Sequence, residues 1–122
     1  MFESAFPIIS TPDMRRSLNF YREALGATVR YQFPPEGEPS YVSLDIGPSH
    51  LGIGRDPTVT VGRDHQRFSL WVYVADCDAA VEQLRAHGSE VIEEPVDQPW
   101  GERVARVLDP DGNMLIIGSR PD

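Results

Sequence analysis

Apolar and polar positions along the chain follow one pattern that occurs twice. Phe6 to Thr11 is a short apolar run expected as a strand, and Pro12-Asp13 offers a helix start. Met14, Leu18, Tyr21 and Leu25 then recur at spacings of four, three and four, the stripe of an amphipathic helix. Gly26 is placed to end it. Three strands are expected next, around Thr28–Phe33, Tyr41–Ile46 and His50–Gly54, separated by proline- and glycine-rich turns.

After a polar linker, Arg55 to Gln66, the pattern restarts. Phe68 to Val74 alternates with period two, which puts Phe68, Leu70, Val72 and Val74 on one face and Ser69, Trp71 and Tyr73 on the other. Asp76 and Asp78 are candidate caps for a helix whose stripe is Cys77, Ala80, Val81 and Leu84, closed by Gly88. Further strands fit Glu90–Glu93, Val104–Leu108 and Met114–Gly118. Asp109-Pro110-Asp111-Gly112-Asn113, between the last two, has the chemistry of a tight turn in which Gly112 or Asn113 takes a positive φ.

The two halves correspond at a nearly constant offset: 63 residues from Asp13 to Asp76, 62 from Gly26 to Gly88, and 64 from Leu51 to Leu115. A tandem βαβββ duplication accounts for this. The expected fold is α+β, a single domain over residues 1–122 with repeats at about 6–55 and 68–118. Its eight strands are expected in one curved mixed sheet, with the helices on the outer face and the concave face free to line a cleft or meet a partner.

Composition narrows the function. The 122 residues suit one domain and 40% of them are hydrophobic, enough for one core. No apolar run approaches a membrane span and no leader-like segment opens the chain, so a cytoplasmic protein with no membrane partner is expected. The single cysteine, Cys77, agrees with a reducing compartment. A net charge of −8 argues against nucleic acid, whose phosphates need a basic stripe. Acids concentrate between Glu90 and Glu102 without an intervening base. Such a run is ordinarily a solvated loop, and it also raises the local concentration of a cationic ligand.

No combination of side chains makes a strong catalytic constellation. Cys77 sits at a helix start, which favours a lowered thiol pKa, but no histidine is expected beside it and a small apolar residue under the helix is the simpler reading. Glu93 and Glu94 are adjacent in a strand and point to opposite faces, so they are poor partners for acid–base work. His65 belongs to the linker, and His87 suits a helix C-terminus, where it complements the dipole.

Asp13 followed by Ser17, Phe20-Tyr21 and Leu25-Gly26 resembles the first-helix pattern of the glyoxalase/bleomycin-resistance/extradiol-dioxygenase group, the vicinal-oxygen-chelate superfamily. The run from Asp109 to Asn113 resembles its final turn, and the likeness extends from Phe6 to Ile117. Pro7, the Leu70–Val74 strand and Gln98-Pro99-Trp100-Gly101 are similar to the antibiotic-sequestering bleomycin-resistance proteins. That resemblance implies a strand-exchanged homodimer with ligand clefts at its interface.

Enzymes of the group hold a divalent metal with His and Glu side chains from equivalent strands of the two repeats. Counted from Asp13, Asp78 and Asp109, three of those positions fall on Phe6, Ser69 and Ile116, and the fourth falls near His50 or Gly52. At least three of the four bind metals poorly, so no metal and no cofactor is expected. The resemblance implies instead a cleft lined by Phe6, Tyr41, Ser69, Trp71, Tyr73, Trp100, Met114 and Ile116, with Tyr41 and Trp100 at positions that stack on a drug's flat rings. The expected function is non-catalytic sequestration of a small planar, cationic antibiotic or metabolite. One alternative is a metal-dependent glyoxalase- or dioxygenase-type lyase or isomerase with unorthodox ligands such as His50 and a carboxylate. Another is an interaction module whose cleft is filled by its own side chains.

Overall fold

A computed structural model of the chain describes residues 3–62, 66 and 68–121. The chain divides into two compact units, Met1–Val61 and Gly62–Asp122, each with the order strand, helix and three strands. Among the described residues the eight strands form two four-stranded mixed sheets, one in each unit, where a single eight-stranded sheet was expected.

In the first unit β1 (Ile8–Thr11) runs parallel to β4 (Ser49–Arg55), and β4, β3 (Tyr41–Ile46) and β2 (Thr28–Phe33) are antiparallel neighbours. The strand begins two residues later than expected. Pro7 has no N–H to donate, although its carbonyl accepts from the Gly52 N–H at 2.9 Å. Helix α1 (Met14–Asn19) is capped by the Asp13 carboxylate, which accepts from the Arg16 N–H at 3.1 Å. It continues as a π-helical turn over Phe20–Ala24, with Leu25 N–H bonded back to Phe20. The extra residue in that turn shifts the helix phase and buries Phe20 and Ala24 beside Met14 and Tyr21.

The second unit repeats the plan with β5 (Leu70–Tyr73), β6 (Val91–Asp97), β7 (Arg103–Leu108) and β8 (Met114–Ser119), in the order β5-β8-β7-β6. Helix α2 (Cys77–Ala86) is capped by Asp76, whose carboxylate accepts from the Ala79 N–H at 3.1 Å. Gly88, at φ 91°, closes it with the paired bonds Gly88 N–H to Arg85 and Ser89 N–H to Leu84. In the turn between β7 and β8 the Asp109 carboxylate accepts from the Asp111 and Asn113 N–H groups and from the Asn113 side chain. Gly112, not Asn113, takes the positive φ, 86°.

β6 runs to Asp97, well beyond the expected end at Glu93. The acidic run is therefore a strand with irregular register rather than a loop, and its acids meet arginines. Glu93 reaches Arg106 and Glu94 reaches Arg85, each at 2.6 Å, while Asp97 reaches Arg103 at 3.0 Å. Glu93 and Glu94 do diverge to opposite faces, one to a neighbouring strand and the other to the helix.

In each unit the helix covers one sheet face. Val42, Leu44, Leu51 and Ile53 are buried beneath α1, and Ala105, Val107, Leu115 and Ile117 beneath α2. The opposite face carries no helix. Among the described residues, no helix is long and apolar enough to cross a membrane.

Candidate functional site

The open face of the second sheet is set by strand alternation. Leu70 and Val72 pair with Leu115 and Ile117 on the covered side, so Trp71 and Tyr73, opposite Ile116 and Gly118, face outward. Gly118 has no Cβ, and the Trp71 indole lies across the vacant position; a Cβ there would stand 2.8–3.1 Å from three of its ring atoms. Tyr73 sits beside it, with ring centroids 5.7 Å apart.

Trp100 lies in the turn between β6 and β7 and is 62% exposed, yet it is not loose. Its indole N–H donates to one Glu102 oxygen at 2.7 Å, and the Tyr73 hydroxyl donates to the other at 2.7 Å. One carboxylate thus fixes two aromatic rings. These bonds hold the Glu102 carboxyl below its usual range, the Tyr73 bond contributing most, and the same bond pushes the Tyr73 phenol above its usual value. The Arg120 guanidinium lies over the Tyr73 ring, 3.7 Å from its centroid.

Of the eight residues expected to line a ligand site, Phe6 and Tyr41 belong to the first unit and the other six to the second. Trp71, Tyr73, Trp100 and Ile116 are brought into one neighbourhood by the β5–β8 register and by Glu102. Ser69 is exposed and lies just outside β5. Met114 opens β8 and is held by Gln66, whose side chain accepts from its N–H at 2.7 Å and donates to its carbonyl at 3.0 Å. Phe6 is exposed and precedes β1. Tyr41 lies on the open face of the first sheet, 6.3 Å from Tyr31 between ring centroids, and its hydroxyl overhangs Gly52.

Sequence reasoning missed Glu102 and Arg120 as parts of this cluster. Spacing gave no signal for Arg120. Glu102 lies two residues from Trp100, but its role depends on β5 returning Tyr73 to the same point. The acidic segment is also not the free negative rim expected, since Glu93, Glu94 and Asp97 are paired with arginines and Glu102 is engaged by two rings.

Register shows which of His50 and Gly52 corresponds to Ile116 in the other repeat. Ile8 pairs with Gly52 as Trp71 pairs with Ile116, so Gly52 and Ile116 correspond. The positions that the resemblance implies are then Phe6 and Gly52 in the first unit and Ser69 and Ile116 in the second, and Tyr41 already fills the space where a side chain at 52 would begin. This donor set does not fit a resident divalent ion. Among the described residues, no group of three His, Cys, Asp or Glu side chains is arranged to hold one.

Other candidate groups are engaged or buried. His50, exposed on β4, lies 2.7 Å from an Asp45 oxygen through Nδ1, and one Arg30 guanidinium nitrogen lies 2.9 Å from Nδ1 and 2.6 Å from Nε2. Cys77 is buried with its thiol directed at the Ile117 carbonyl at 3.5 Å, and burial pushes the thiol pKa up, the reverse of an activated nucleophile. His87 caps the C-terminus of α2. His65 lies outside the described residues.

Comparison with known proteins agrees with this architecture. Residues 5–117 match the model of the glyoxalase/bleomycin resistance protein/dioxygenase superfamily. No curated protein matches the chain in sequence. Among solved structures, TioX from Micromonospora sp. ML1 is similar at 21% identity, over 98% of both chains, with a TM-score of 0.78. A protein of unknown function from Agrobacterium tumefaciens is 28% identical over 98% of this chain and 94% of its own, also with a TM-score of 0.78. A glyoxalase/bleomycin resistance protein/dioxygenase from Nocardioides is 20% identical over 100% of this chain and 86% of its own, with a TM-score of 0.75. With the family model spanning nearly the whole chain and the repeat architecture matching, the chain belongs to the glyoxalase/bleomycin resistance protein/dioxygenase superfamily.

Proposed function

We propose that this chain is a non-catalytic binding protein that sequesters a small planar antibiotic or metabolite on the aromatic face of its second sheet. It works without a cofactor, in the cytoplasm and as a homodimer. The observation that carries this reading is Trp100, a largely exposed indole pinned by Glu102 beside Tyr73. An exposed, immobilised tryptophan loses side-chain entropy and gains little unless something covers it. Stacking adds about 0.5–1.5 kcal/mol per aromatic pair beyond the area buried, so two such contacts give useful affinity with no chemistry. The donor-poor residues at Phe6, Gly52, Ser69 and Ile116 support the same reading. Exposed Ile8, Tyr31 and Phe33 on the first unit, and Val96 on the second, are apolar surface that a second copy would cover.

The test is titration of the protein with bleomycin and a panel of planar drugs, followed by tryptophan fluorescence. Saturable quenching that weakens in Trp100→Ala supports the reading; no saturable quenching by any of the panel at tens of micromolar overturns it. The Asp45–His50–Arg30 cluster favours a second reading, an enzyme using an imidazole oriented by a carboxylate or a metal held by unorthodox ligands. Stoichiometric metal after dialysis, or turnover that His50→Ala abolishes, would establish that reading.

A further inference from the structure

Arg120 is a part of the aromatic site that ligand binding alone does not require. It follows directly after β8, outside the ladder, and its guanidinium lies 3.7 Å from the Tyr73 ring centroid. Arg85, Arg103 and Arg106, the other described arginines of this unit, each hold a carboxylate at 2.6–3.0 Å. Among the described residues, Arg120 has no carboxylate within salt-bridge distance. Glu102, whose two oxygens accept from Tyr73 and Trp100, attracts it at longer range. Its neighbour Pro121 rests against Gly101, so the segment lies over the turn that carries Trp100. A planar cation thus occupies an aromatic face flanked by a carboxylate, supplied by the chain itself.

We infer that Arg120 is an internal stand-in for the ligand: it covers the Tyr73 face, must swing away for a ligand to stack there, and marks the site as one that selects flat cations. The inference rests on the planar-ligand reading above and deepens it by assigning charge class and competitor. The selectivity does not come from the acidic run, whose Glu93, Glu94 and Asp97 are neutralised by arginines. It comes from the negative face of the Tyr73 ring and from Glu102 behind it. Guanidinium is flat and weakly hydrated, so a heteroaromatic cation replaces it with the same geometry and a larger contact area. Binding then proceeds from the fraction of molecules in which Arg120 is displaced, and the apparent affinity is reduced by that fraction. For an exposed guanidinium–ring contact of ordinary strength, removing the competitor tightens binding about three- to sixfold.

The experiment is calorimetric titration of the full chain with N-methylquinolinium and with quinoline, its near-isosteric uncharged counterpart at neutral pH. It uses the unmodified protein, Arg120→Ala and Trp100→Ala. The expected result is preference for the cation, weaker binding in Trp100→Ala, and cation binding about three- to sixfold tighter in Arg120→Ala. Unchanged affinity in Arg120→Ala overturns the competitor role, and weaker affinity overturns it by making Arg120 an anchor. Equal affinity for the two probes overturns the assigned charge class. In these three cases binding that still depends on Trp100 leaves the planar-ligand reading standing. Absence of binding by both probes in folded protein, verified by circular dichroism, defeats this inference, and only failure of the wider drug panel defeats the function.

Discussion

Replacing Gly118 with alanine tests the stacked platform directly. A Cβ at 118 would lie 2.8 Å from one Trp71 ring carbon, whereas ordinary contact begins near 3.4 Å, so the indole must move by about 0.6 Å. Overpacking of this kind costs about 1–3 kcal/mol. Trp71 is 38% exposed and can tilt outward, which places the cost near 1 kcal/mol. The control is Gly54→Ala at the corresponding position of the first repeat, where a Cβ meets only the Ile8 side chain at 3.9 Å. That variant is expected to be neutral or to gain about 0.5–1 kcal/mol from reduced chain entropy within a strand. The two variants should therefore differ by about 1–2 kcal/mol, or by about 0.5–1 M in urea midpoint for a domain of this size. Urea denaturation followed by far-ultraviolet circular dichroism measures the difference, and near-ultraviolet circular dichroism reports the tilted indole. Equal midpoints, with an unperturbed aromatic spectrum in Gly118→Ala, would refute the geometry.

Three further predictions test the surrounding structure. Glu102 has a folded-state pKa below its unfolded value, so its tether on Trp100 and Tyr73 is complete above the ordinary carboxylate range and is lost as pH falls through the lowered value. Tryptophan anisotropy should fall across that acidic interval in the unmodified protein and show no such step in Glu102→Gln. Buried Cys77, its thiol pKa raised, should resist a disulfide reagent at neutral pH and react at a rate that rises with urea in step with unfolding. Asp109→Ala strands the N–H groups of Asp111 and Asn113 in a buried turn and should cost about 2–3 kcal/mol, read as a lower urea midpoint.

The duplication was legible because both repeats reuse the same punctuation: a capping aspartate before each helix, a glycine after it, and strands of matched length. The strands Thr28–Phe33 and Tyr41–Ile46 were found at their true bounds because aromatic and β-branched residues alternate between clear turns. β6 was expected to end at Glu93, whereas it continues through Glu94 and Pro95 to Asp97. In the structure, arginines on opposite faces neutralise the two glutamates, and Pro95 falls within an irregular stretch of the ladder that tolerates a missing donor. The α1 stripe was legible at Met14 and Tyr21, both fully buried, whereas Leu18 and Leu25 are half-buried and Phe20 and Ala24 are buried instead; an inserted π-turn residue leaves no mark in a 3.6-residue period.

The candidate site was legible in part for the same reason. Alternation alone put Trp71 and Tyr73 on one face, and the resemblance of Gln98-Pro99-Trp100-Gly101 to the bleomycin-resistance proteins singled out Trp100. Glu102 and Arg120 were hidden because their roles depend on pairings across 29 residues of chain (Tyr73 to Glu102) and from the end of β8 back to β5. No local pattern encodes such contacts. The same holds for the acidic segment, whose charge looks free in the sequence and is balanced only when β7 and α2 bring their arginines to it.

The central claim is that flat ligands are held by aromatic faces with no metal ion. Its most direct test is the affinity for a planar ligand that quenches Trp100, measured after exhaustive dialysis against EDTA and again after addition of divalent zinc, manganese, nickel or iron. The account predicts one affinity under all these conditions. Loss of binding in EDTA with recovery on adding one of the metals would contradict it.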